Sequence, residues 1–208
     1  MPSAANLDEA VSLMADIPMR DAVVLTEGEP PRVSGPRYEE NARWYLVSRM
    51  YTDAIFNDDI HMIQQIVNRI DGGVVPEELQ SGVQTKFGDC LEQVLAMDEA
   101  SRLKVTPDDT VLMALCKALY DKAAHSIYWD RKKKRPRKPA SWEKAERDAA
   151  IKMIFERTQG RKSQRKLEER GVEAVASEWL GQLLPESSPD QAKQVEQELD
   201  SDQETVLQ

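Results

Sequence analysis

The sequence predicts a mainly α-helical fold: a helical hairpin and bundle that carries a basic arm and ends in a flexible acidic tail. Three observations predict it. Apolar residues recur at three- and four-residue steps through most of the chain, as one buried face of a helix requires, and the only hint of two-residue alternation is AVVLT at Ala22 to Thr26. Asparagine, aspartate, serine and threonine stand before these runs, and glycine follows several of them. Charge is sorted into blocks, with balances of −11 over residues 1–130, +11 over 131–166 and −9 over 167–208. An ordinary globular surface intersperses the signs, so such blocks imply that different parts of the chain meet different partners.

The elements follow in order. Asn6 is placed to cap a short helix with Leu7, Ala10, Val11 and Met14 on one face, ending before Pro18. Residues 23–36 read as a loop or linker, because four of the eight residues from Glu29 to Pro36 are proline or glycine. A helix over Tyr38 to Phe56 carries Trp44, Val47, Met50, Tyr51 and Ile55 on one face. Asn57 or Asp58 then caps a second helix with Ile60, Ile63, Ile66, Val67 and Ile70, closed by Gly72 and Gly73, so the two form an antiparallel hairpin.

Pro76 suits a first helical position, although Gly82 and Gly88 weaken the pattern before Cys90, Leu91, Val94 and Leu95. The strongest helix runs from Thr106 as cap and Pro107 in the first turn to about Tyr128, with Val111, Leu112, Leu115, Cys116, Leu119 and Tyr120 in a wide stripe. Ser141 caps a helix from Trp142 to about Thr158, with Ala145, Ala149, Met153 and Ile154 or Phe155 along it and Gly160 beyond. A further helix from Ser163 carries Leu167, Val172, Val175, Trp179, Leu180 and Leu183, with Gly171 as a break point. Four segments result: 1–37, a short helix and linker; 38–130, a helical core; 131–184, a basic arm and helical segment; and 185–208, an acidic tail with too few apolar residues to anchor it.

Composition narrows the functions. At 208 residues and 40% apolar content the chain can fill a core. No window of eighteen apolar residues occurs, and MPSAANLDEA lacks a basic start and an apolar signal core, so the expectation is a cytoplasmic protein with no membrane segment. Cys90 and Cys116, each within an apolar helical pattern, read as small buried hydrophobes. His61 and His125 stand beside no recognisable nucleophile, and the pairs Asp58-Asp59 and Asp108-Asp109 sit at helix starts, where aspartate offsets the helix dipole without any metal. Neither GxxxxGKS nor GxGxxG occurs. The expectation is a noncatalytic protein with no cofactor; a metal-dependent nuclease using Asp58 or Asp108 is the enzymatic alternative.

The stretch YWDRKKKRPRKPASW asks for a polyanion. Seven of the nine residues from Arg131 to Pro139 are cationic, and Pro136 and Pro139 keep the run from being one helix. Closely spaced cations gain affinity for phosphates by releasing condensed counterions, without catalytic geometry. The candidate contacts are Arg131, Lys132, Lys133, Lys134, Arg135, Arg137 and Lys138, continued by Lys144, Arg147, Arg157, Arg161, Lys162, Arg165 and Lys166; Tyr128, Trp129 and Trp142 are candidates for stacking on bases. The same run also fits a solvated loop, a nuclear-import signal, or an acceptor for the acidic tail.

MIQQIVNRIDG at Met62 to Gly72 and AIKMIFERTQG at Ala150 to Gly160 echo each other, which shared helix-ending grammar explains. The stretch NDDIHMIQQIVNRIDGGVVP resembles a helix-and-glycine ending of small terminase subunits of tailed bacteriophages, and RDAAIKMIFERTQGRK is similar to a basic segment near the end of some of them. That resemblance spans about forty residues and implies a homo-oligomeric ring that binds double-stranded viral DNA in the host cytoplasm and regulates the large terminase subunit, which supplies ATPase and nuclease activity. Many such subunits carry an N-terminal helix-turn-helix, whereas residues 1–37 here are acidic or loop-like. The resemblance then moves DNA contact to the segment around Arg131 to Lys138 and assigns the helices of residues 38–130 to assembly. A structural or scaffolding protein of a virion is the alternative.

Overall fold

The computed structural model describes residues 4, 6–24, 32–33, 42–72, 85–125, 128–130, 135–159 and 171. Among them lie eight helices and two short two-stranded sheets, so the fold is mainly α, as expected. The core forms around the helix with the longest apolar run. Helix α7, Val111–Ala124, buries Val111, Leu112, Ala114, Leu115, Cys116, Lys117, Ala118, Leu119, Tyr120 and Ala123, leaving almost no solvent face. It touches all seven other described helices.

Around it the chain is laid down in order. Helix α1, Leu7–Ala15, is capped by the Asn6 side chain, which accepts from the Glu9 amide at 2.8 Å. Helix α2, Met19–Ala22, is fastened to the turn before α7, where the amides of Met19 and Arg20 donate to the carbonyls of Asp109 and Pro107 at 2.7 and 2.9 Å. Strand β1, Val23–Val24, pairs antiparallel with β2, Arg32–Val33, within the stretch read as a loop, and the Val33 amide donates to Thr52 at 2.8 Å.

Helices α3, Ala42–Phe56, and α4, Ile60–Ile70, form the expected hairpin. The sequence placed the α4 cap at Asn57 or Asp58; it is Asp59, whose carboxylate accepts from the amides of His61 and Met62. Asp58 instead makes the reversal, with φ of 52° in the left-handed region. Gly72 ends the hairpin with φ of 68°, while Tyr38 and Gly73 lie outside the described residues. The buried Tyr51 hydroxyl donates to the Val11 carbonyl at 2.9 Å and so ties α3 to α1.

Helix α5, Lys86–Leu95, starts from Thr85, whose hydroxyl accepts from the Gly88 amide at 3.0 Å. Helix α6, Glu99–Leu103, is capped by Asp98 and is too short to have shown a periodic pattern. The α7 start differs from the reading at Thr106 and Pro107. Thr110 is the cap, and residues 106–109 close a turn in which the Asp109 carboxylate accepts from the Thr106 amide at 2.6 Å. That carboxylate also meets the buried Lys117 ammonium at 2.9 and 3.1 Å, and Lys117 donates further to the Lys104 carbonyl. A helix beginning at Pro107 would carry Asp109 away from this charge.

Strands β3, Tyr128–Asp130, and β4, Arg135–Arg137, lead into α8, Ser141–Gln159. Ser141 lies inside α8 rather than before it. Ala150, Ile151, Met153, Ile154 and Phe155 are buried, whereas Ala145 and Ala149, read with Met153 along this helix, are exposed. One hydrophobic cluster runs from Ala4 to Phe155, so the segments 1–37 and 131–159 contribute to the same core as 38–130. The helix expected from Ser163 to Leu183 and the acidic tail 185–208 fall outside the described residues; of these positions only Gly171 is described, with φ of 77°.

Cys90 and Cys116 are both buried and hydrogen-bonded to each other between α5 and α7. The bond from Cys116 lowers the Cys90 thiol, while burial pushes the Cys116 thiol well up.

Gly88 lets α5 and α8 approach. A Cβ there would lie 2.8 Å from the Thr85 hydroxyl oxygen and 3.2 Å from the Arg157 carbonyl. Alanine normally favours a helix, yet Gly88→Ala is expected to destabilise the fold by a net of about 1–2 kcal/mol, because the clash outweighs the propensity gain. A urea titration showing an unchanged or raised midpoint would refute the close-approach role.

Candidate nucleic-acid interface

The basic run occupies the turn between α7 and α8. Leaving α7, the chain runs out along β3 and back along β4, with Tyr128 opposite Arg137, Trp129 opposite Pro136 and Asp130 opposite Arg135. Pro136 has no N–H to donate, and a two-stranded ribbon tolerates it where the opposed pair exchanges no hydrogen bonds. Pro136 is therefore compatible with the strand, and Pro139 follows it before α8, so the run is not one helix, as the sequence required. Arg131, Lys132, Lys133 and Lys134 connect the strands and lie outside the described residues, as do Arg161, Lys162, Arg165 and Lys166.

Polar contacts fix the base of this hairpin. Arg137 grips Glu143 with both guanidinium arms, at 2.5 and 2.7 Å, and donates to the Lys138 carbonyl at 3.0 Å. Glu143 also accepts from the Ala140 amide at 2.7 Å, as a glutamate at the third helical position does when it reaches back over a helix start. The hydrogen bonds from Arg137 and Ala140 hold the Glu143 carboxyl down at about 2. A few residues along, Lys122 of α7 pairs with Glu146 of α8 at 2.6 Å, and the Nε of Arg147 donates to the Ala123 carbonyl at 3.1 Å. Asp58 of the α3–α4 turn faces the same joint. Burial raises its carboxyl, Lys122 and His125 oppose the rise, and Asp121 and Glu146 add to it.

The predicted DNA contacts thus separate into groups. Lys138 and Lys144 are exposed beside the hairpin base, and Trp142 stands 61% exposed between them in sequence. Arg135 is placed by its backbone in β4. Arg137 belongs to the fork on Glu143, and Arg147 is half-buried against the end of α7. Arg157 requires a correction. Its guanidinium pairs with Asp71 at 2.5 Å and with the Asn68 side chain at 3.2 Å, and the Arg157 and Asp71 side chains are only 2% and 0% exposed. It joins the end of α8 to the end of α4 and presents no charge to a phosphate. Burial lowers the Arg157 guanidinium and raises the Asp71 carboxyl, and each is opposed by the charge of the other. The echoing segments therefore meet at their ends. Arg69, the counterpart of Arg157, lies near the surface and pairs with Asp8.

Glu143, Glu146 and Lys122 were missed by sequence reasoning, although Glu143 three residues after Ala140 carries the helix-start signature. The carboxylates considered as metal ligands have other tasks. Asp59 caps α4, Asp109 holds Lys117, and Asp108 pairs with Arg20. No group of three or more metal-ligating side chains converges among the described residues, and none of their helices is long and apolar enough to cross a membrane.

Removing one side of the buried pair should be costly. Asp71→Ala leaves the Arg157 charge uncompensated and is expected to cost about 3–5 kcal/mol, most of it recovered when Arg157→Met is added. Urea unfolding of the single and double variants checks this, and an unaffected single variant would refute the anchoring role. For Glu143 the acid limb is diagnostic. Its carboxyl is depressed, so its contribution to the hairpin base is complete above its usual value of 4.5 and is lost as the pH falls from there towards about 2. An NMR titration should follow that low midpoint, and Glu143→Gln should speed exchange of the Ala140 amide; a midpoint near 4.5 would remove the fork. Comparison with protein-family models, with curated proteins and with solved structures finds no match to this chain.

Proposed function

We propose that the chain is a noncatalytic, homo-oligomeric DNA-packaging component of a tailed bacteriophage, which binds double-stranded DNA through the β3–β4 arm and regulates a large terminase motor. The observation that carries the DNA-binding part is the placement of the basic run. Six cations, from Arg131 to Arg135 and at Lys138, belong in sequence to the two-stranded ribbon and its connection, whose base the Arg137–Glu143 fork holds, in a protein whose net charge is −9. A two-stranded ribbon has the width to follow a duplex groove. Fixing it at its base reduces the ordering cost of binding. The packaging role and the large-subunit partner rest on the resemblance of the two helix endings alone.

A virion scaffolding protein is the second reading, and the internal use of cations favours it. Arg137, Arg147 and Arg157 are committed to protein groups, which lowers the charge left for phosphate. DNA binding separates the two. If about six cations contact duplex phosphates, log affinity falls against log salt with a slope of roughly −5. Neutralising Lys132, Lys133, Lys134, Arg135 and Lys138 while keeping Arg137 should weaken duplex binding at low salt by roughly two orders of magnitude or more and flatten that slope. Fluorescence anisotropy across a salt series measures both. A folded variant that binds as tightly as the parent, or a parent that binds no duplex, would overturn the DNA reading.

A further inference from the structure

The outward stripe of α3 reads the same way in both directions. Tyr45 and Leu46 near its start are 50% and 48% exposed, Phe56 at its end is 40% exposed, and the exposed Arg49 and the half-buried Asp53 lie between them. Leu46 and Phe56 are each five residues from position 51, and Arg49 and Asp53 are each two residues from it. A second copy of α3 laid antiparallel over this stripe, with its two-fold axis at the level of residue 51, sets Leu46 opposite Phe56 and Arg49 opposite Asp53. Each contact is made twice. Within the chain the Arg49 Nε stands 3.8 Å from Asp53, beyond hydrogen-bonding distance, so the guanidinium keeps donors to offer a carboxylate on another copy.

We infer that this face of α3 is the contact between two copies of the chain. A two-fold interface must be self-complementary, each residue meeting its counterpart's partner, whereas a partner of different sequence imposes no such symmetry. Leu46, Arg49, Asp53 and Phe56 meet that condition in both charge and hydrophobicity, while Tyr45 falls opposite Asn57 at the rim. Apolar contacts at the two ends flank a pair of ion pairs at the centre, which fixes register and direction as charges do between paired helices. Four helical turns against four place the contact near the small end of specific interfaces, on the order of 1,000 Å² in total, and so in the range of weak, reversible association. The inference rests on the homo-oligomeric part of the proposed function and on none of its DNA part. The contact closes at two copies, so a larger assembly needs a second, different surface.

Charge exchange on the full chain tests it. In an Arg49→Asp homodimer the new aspartate faces Asp53 of the other copy, and in an Asp53→Arg homodimer two arginines face each other. Sedimentation velocity should therefore show each variant dissociating at concentrations at least tenfold higher than the parent. An equimolar mixture of the two variants restores opposite charges at both centres and should re-form a dimer. The double variant R49D/D53R should self-associate like the parent, and its recovery excludes misfolding as the cause of the single-variant losses. A parent that stays monomeric at 100 µM overturns both this inference and the homo-oligomeric reading. A multimer unmoved by either reversal, or single variants that fail to recombine, overturns the α3 contact while leaving oligomerisation intact.

Discussion

Helix α7 has almost no side to give to water, and this decides where the other elements lie. Its fourteen residues bury apolar groups in every direction, so a ring of helices must close around it before the apolar surface is removed from solvent. The one buried cation in that run, Lys117, sets the most exacting condition. A buried ammonium is tolerable only if its charge and its donors are met. Asp109 and the Lys104 carbonyl meet them, which draws the loop after α6 and the turn before α7 onto the helix. The same turn receives the backbone of α2. One buried charge thereby organises three connections.

The cations of β4 and α8 show how part of a basic block is built into the fold. Arg137, Arg147 and Arg157 each find an acceptor in the protein, at the hairpin base, at the end of α7 and at the end of α4. These contacts fasten α8 along its length and set the hairpin in a defined attitude to the bundle. Lys138 and Lys144 lie on the exposed surface beside them. For the proposed grip on a polyanion this division is an advantage, because cations spent on the arm's foundation leave fewer degrees of freedom to be lost on binding.

Sequence reasoning succeeded where the determining forces are local. The Asn6 cap, the two stripes of the α3–α4 hairpin and the Gly72 ending are all decided within a turn or two of helix, and each appears as read. It failed where a distant group chooses between local options. Thr106 and Thr110 are both acceptable caps, and the choice falls to Lys117 through Asp109. Ala145 and Ala149 fit an inner face as well as Ala150 and Ile151 do, but the first half of α8 is held to α7 by ions and a carbonyl rather than by apolar contact. Arg157 looks like any cation of the block until Asp71, distant in sequence, is brought beside it. The prolines announced that the basic run is not one helix, but the β3–β4 pairing itself was not read, and the role of Glu143 needed the helix start to be placed one residue earlier.

The thiols between α5 and α7 make the closed state self-reporting. Cys116 is fully enclosed and Cys90 nearly so while the two helices remain together, and alkylation requires a thiolate that water-borne reagents can reach. Modification of Cys116 therefore proceeds through molecules in which the cover over the central helix, α5 included, has opened. The rate at which a maleimide consumes that thiol counts those partings, helix from helix, without any label having to be added to the chain.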